Sequence, residues 1–151
     1  MWIGKEEKEE YLDCPVRGLR LKFFAGLTEA ERNACKSFAD WLRRKYFFPI
    51  RVYVCLVPQK AFYHPDDGHI YYGVFYSGEA GKRKIYPRIC IAARAQTPKA
   101  QEDVLLAMAH ELTHYFQWCN GSALKDRGRE WQAERCARDL LRAYARTRAH
   151  P

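Results

Sequence analysis

Residues 104–118 read VLLAMAHELTHYFQW. Wound into a helix, this run is apolar on nearly every side, so it belongs in the interior with other elements packed around it. Thr97-Pro98 ahead of it is a good helix start, and Asn120-Gly121 behind it is a C-cap pair. A second helix is expected from about Asp126 to Ala145, with Trp131, Cys136, Ala137, Leu140, Leu141 and Tyr144 as its apolar members. The short Gly-rich turn between the two folds them back antiparallel. Upstream, three β-rich runs, RVYVCLV at 51–57, IYYGVFY at 70–76 and IYPRICIA at 85–92, are separated by turn-rich segments and suggest a small three-stranded sheet. Thr28 and Glu31 form a capping box, and Ala34, Phe38, Trp41, Leu42 and Tyr46 then share one helical stripe that ends before Pro49. The expected fold class is α+β in a single domain over 21–151. Residues 1–20, with Pro15, Gly18 and no clear period, are expected to be an irregular acidic arm.

A chain of 151 residues that is 48% hydrophobic and 15% aromatic can bury one substantial core. No apolar run approaches the length of a membrane span and no signal-peptide pattern opens the chain, so a cytoplasmic protein is expected. The six cysteines are spread singly with no CxxC pair, which fits reduced thiols better than a disulfide framework or a zinc ribbon. The net charge of +8 is uneven. Residues 1–13 set Lys5 and Lys8 against five acids, while 122–151 set eight Lys or Arg against four. A basic body can attract nucleic acid or acidic protein, but no nucleic-acid reading motif accompanies the charge.

Two histidines four apart in a buried helix need a shared purpose, because unpaired imidazoles there are costly. In a helix, i and i+4 project side by side, so His110 and His114 can chelate one ion. Neutral imidazoles suit Zn²⁺, and Glu111, one residue round, falls beside the ion where it can take a proton from a water. That is the logic of HExxH: a Lewis acid that lowers the pKa of its water to roughly 7, with a carboxylate as base. A catalytic zinc site also needs a third protein ligand. REWQAE offers Glu130 and Glu134, four apart and on one face of the following helix, and position alone lets either reach the histidine pair.

HELTH followed by EWQAE resembles the gluzincin metallopeptidases, among them the minigluzincins and the ImmA/IrrE-like proteases of mobile elements. The resemblance is confined to residues 85–141. It implies one zinc per chain held by His110, His114 and Glu130, with Glu111 as general base and Glu134 orienting a histidine from outside the ligand shell. A glutamate stands at 134 where the pattern usually has Asp or Asn. The resemblance further implies an edge strand above the active-site helix that pairs with extended substrate, which falls on Arg88, Ile89, Cys90, Ile91 and Ala92. Tyr115, His64 and His69 are candidate donors to a developing oxyanion. Cys14, a thiol on the acidic arm, has the form of a cysteine switch. The activity expected is zinc-dependent hydrolysis of a peptide or protein substrate. The alternative is a catalytically idle, zinc-stabilised basic interaction module, binding protein or nucleic acid in a phage or mobile element.

Overall fold

The computed structural model describes residues 1–4, 18–78 and 85–149. In chain order the elements are β1 (Leu19–Phe23), α1 (Glu29–Lys45), β2 (Val52–Val57), β3 (Phe62–Tyr63), β4 (Ile70–Tyr71), β5 (Gly73–Tyr76), β6 (Arg88–Ala92), α2 (Pro98–Cys119) and α3 (Asp126–Ala149). The fold is α+β: three helices on a small mixed sheet.

Four strands form the main sheet in the order β1-β2-β6-β5, with β1, β2 and β6 parallel and β5 antiparallel to β6. Leu19, Val52, Val54, Leu56, Ile89 and Ile91 are fully buried and alternate along their strands, so they share the face turned to the helices. Against that face lies α2, whose Met108, Ala109, Leu112, Tyr115 and Phe116 have no exposed surface. It packs on β5, β6, α1 and α3 and is the centre of the molecule, as its all-round apolarity requires.

The expected sheet differs from this one in three respects. Leu19–Phe23, LRLKF, is a fourth strand; its charged residues alternate with apolar ones over only five positions, too short a signal beside the apolar runs. The run 70–76 breaks at Tyr72 into β4, which pairs with β3 in a separate hairpin, and β5, which pairs with β6. And β6 is an inner strand. It pairs with β2 on one side and β5 on the other, so Arg88, Ile89, Cys90, Ile91 and Ala92 cannot receive a further strand. Pro87 stands just before β6, where its missing N–H disturbs no ladder, and its carbonyl accepts from Tyr53 N at 3.2 Å.

Local chemistry sets the helix ends. Thr28 Oγ1 accepts from Glu31 N at 3.1 Å while Glu31 Oε1 accepts from Thr28 N at 2.7 Å, completing the capping box. Thr97 caps α2 by accepting from Ala100 N, and Gly121, at φ +60°, lets the chain turn out of α2. The last helix continues four residues beyond its expected end at Ala145.

The first residues are not an arm. Ile3 is buried, Trp2 packs its ring on Tyr46, Phe48 and Phe116, and its indole N–H donates to Thr113 Oγ1 at 3.1 Å. Residues 19 and 20 belong to β1, and residues 5–17, including Cys14, lie outside the described residues. Cys35, Cys55, Cys90 and Cys136 are free thiols. No helix among the described residues is long and apolar enough to cross a membrane.

Candidate metal centre

One turn of α2 carries His110 and His114 on the same face, with ring centroids 4.9 Å apart. Ligand atoms of His110, Glu111 and His114 all lie within 4.8 Å of one another, and among the described residues they are the one such group able to hold a metal ion. The turn at 120–125 returns the chain antiparallel, so the first turns of α3 pass the last turns of α2. Glu130 is thereby brought across the histidine pair. Its Oε2 lies 3.1 Å from Nε2 of His110 and its Oε1 lies 2.9 Å from Nε2 of His114. Two imidazole nitrogens and a carboxylate thus converge from two helices.

Burial holds the His110 pKa below its ordinary value, and the nearby His114 adds to that effect. The carboxylates of Glu130 and Glu134 oppose it without reversing it, so the neutral, ligand-competent imidazole is favoured. The Glu111 carboxyl is pushed up to about 7, chiefly by burial, with His114 lowering it and Glu130 raising it further. Its wall is the edge of the sheet. A Cβ on Gly73 would stand 2.9 Å from Glu111 Cγ and 2.9 Å from Ile91 Cδ1, so β5 passes this close without pushing either side chain aside only with glycine there. Glu111 is held between the histidines and the edge strand.

An open cleft of about 1520 Å³ runs over these groups, with Gly73, Val74 and Phe75 on one wall and Glu130, Glu134 and Arg138 on the other. Tyr115 is absent from it: the ring is fully buried, its hydroxyl donates to Ile50 O and accepts from Ile50 N at 3.1 Å. His64 and His69 are also outside it. They close the β3–β4 turn, where His64 Nδ1 accepts from Asp66 N at 3.2 Å and the His69 backbone N–H donates to Asp67 Oδ1 at 2.8 Å. None of these three lines the cleft. Glu134 lines the cleft but hydrogen-bonds neither imidazole; one turn further along α3 than Glu130, it reaches His110 through its charge alone.

The partner of a histidine is instead Gln117, whose Oε1 lies 2.8 Å from His114 Nδ1. Gln117 is 2% exposed, and its Nε2 donates to Arg129 O at 3.0 Å and to Gln132 Oε1 at 2.9 Å. The signal for it was present: a lone amide among the aromatic residues of YFQW, three residues after His114 on an interior helix. Gly73 had no such signal, because its role depends on which strand crosses α2. Searches of protein-family models, curated proteins and solved structures find no match to this chain.

Proposed function

We propose that the protein is a zinc-dependent metallopeptidase of gluzincin type, with His110, His114 and Glu130 as the metal ligands. The observation that carries this reading is the convergence of these three side chains around a buried glutamate at the foot of an open cleft. Two neutral imidazoles and one carboxylate are a fitting donor set for zinc and leave one position free, as a catalytic rather than a structural site requires. When bound, zinc supplies a Lewis acid that polarises a carbonyl and acidifies water.

The chain's own groups supply the rest. Glu111 takes the proton of the attacking water on its carboxylate and delivers it to the leaving amine, and burial, which raises its pKa, makes it a better base than an exposed carboxylate. Substrate is oriented by β5. Tyr72 O accepts from Ala92 N, so by antiparallel alternation Gly73 and Phe75 turn their N–H and C=O away from β6, toward an incoming extended peptide. This moves the substrate-pairing strand from β6 to β5 and gives the molecule a zincin-like layout, with a sheet edge above the HExxH helix. An idle interaction module has no use for a base held between metal donors and an open edge.

The test is metal analysis joined to peptide-library cleavage by wild type and Glu111→Gln. Wild type should hold one zinc and cleave, and the variant should keep zinc and fold but lose cleavage, because an amide cannot accept the proton. A wild type without metal whose melting temperature ignores chelators would refute the reading.

A further inference from the structure

We infer that Gln117 is a positioning residue of this centre: its side-chain oxygen keeps the proton of His114 on Nδ1, so that Nε2 meets Glu130 with a lone pair. The inference rests on the reading of His110, His114 and Glu130 as metal ligands.

The direction of the amide is fixed by its neighbours. A backbone carbonyl can only accept, so the group 3.0 Å from Arg129 O is the NH₂ of Gln117, and the second N–H goes to Gln132 Oε1 at 2.9 Å. The oxygen therefore faces His114 Nδ1 at 2.8 Å, and because that oxygen carries no hydrogen, Nδ1 must be the donor. On the far side of the same ring, Nε2 lies 2.9 Å from Glu130 Oε1. A neutral imidazole with its proton on Nδ1 sets a lone pair against a carboxylate there, which is favourable only with a cation shared between them. Gln117 thus opposes the other tautomer, in which Nε2–H would donate to Glu130 and withdraw that nitrogen from metal binding.

The amide does a second thing. Arg129 directly precedes Glu130, so the bond from Gln117 to the Arg129 carbonyl also fixes the backbone from which the third ligand projects. One buried side chain on α2 holds both a ligand of its own helix and the mounting of a ligand on α3.

Two variants separate this role from mere packing. Gln117→Met keeps length and removes all three hydrogen bonds; Gln117→Glu keeps an acceptor for His114 and gives up both donors to α3. Zinc dissociation constants by chelator competition are read beside melting temperatures. Gln117→Met should weaken zinc binding by about 10- to 100-fold. Gln117→Glu should recover most of that loss while melting no higher than Gln117→Met, since its carboxylate faces the Arg129 carbonyl. Zinc affinity that follows melting temperature across the three proteins, or a folded Gln117→Met that binds within about twofold of wild type, overturns the inference. If neither variant folds, zinc-loaded wild type decides: proton NMR should show a His114 Nδ1–H signal protected from exchange, and its absence overturns the inference. A wild type that takes up no zinc overturns the metal reading and this inference together, whereas a zinc-binding wild type beside an unaffected variant overturns this inference alone.

Discussion

Gly73 decides how closely the sheet edge can approach Glu111 without displacing it. An alanine there would press its methyl group to within 2.9 Å of Glu111 Cγ, and the flexible carboxylate would give way before the strand does. Gly73→Ala should leave zinc content unchanged, cost about 1–3 kcal/mol of stability through overpacking, and lower kcat/KM on the order of 100-fold through a displaced base. Steady-state kinetics and metal analysis of the same preparation check this. The two glutamates of α3 part in a similar comparison. Glu130→Ala removes the carboxylate that touches both imidazoles and should abolish zinc binding. Glu134→Ala should weaken zinc binding by no more than about fivefold, the worth of one exposed charge near 1 kcal/mol, as a zinc titration will show. Sequence spacing made His110, Glu111 and His114 legible because helical geometry is local. It left Glu130 and Glu134 level with the site, since only packed helices show which carboxylate turns inward.

Among the elements, the join between α1 and the segment before α2 depends on one buried carboxylate. Glu31 completes the cap of α1, and its oxygens also accept from Ala95 N at 2.7 Å and from Arg94 Nη1 at 2.8 Å, while Arg94 donates to Gly26 O at 2.7 Å. Burial alone would raise its pKa, but the amides of Thr28 and Ala95, the Thr28 hydroxyl and the charge of Arg94 outweigh that and hold it below 4.5. A depressed folded value means stability that is present above the unfolded value and lost as pH falls through the folded one. Glu31→Gln should therefore cost about 1–3 kcal/mol near neutrality, and the gap to wild type should close below pH 4.5. Denaturant melts of both proteins across that range measure it. The capping box was readable from Thr28 and Glu31; the reach of Glu31 to Arg94 and Ala95, 63 and 64 residues away, was not. The same limit hid the break at Tyr72, where two strands of one apolar run take different partners.

For the whole molecule, the class and the helices were legible and the sheet was not. The period of α2 announces an interior helix from within its own residues, but the order β1-β2-β6-β5 is a set of pairings between distant segments, and apolar strands look alike whether inner or edge. That division between near and far also separates the parts of the site. His110, His114 and Glu130 lie within 21 consecutive residues on two successive helices, whereas the wall behind Glu111 is Gly73 of β5, 38 residues earlier in the chain (111 − 73) and part of a sheet that runs through β6 to β2. Contacts close in sequence form early in folding, and distant strand pairings wait on loop closure. A chain refolding from denaturant should consequently capture zinc before it can hydrolyse anything. Stopped-flow refolding with a fluorescent zinc indicator, run beside recovery of peptide cleavage, should show the metal signal first and leave the newborn chain loaded but harmless to its neighbours.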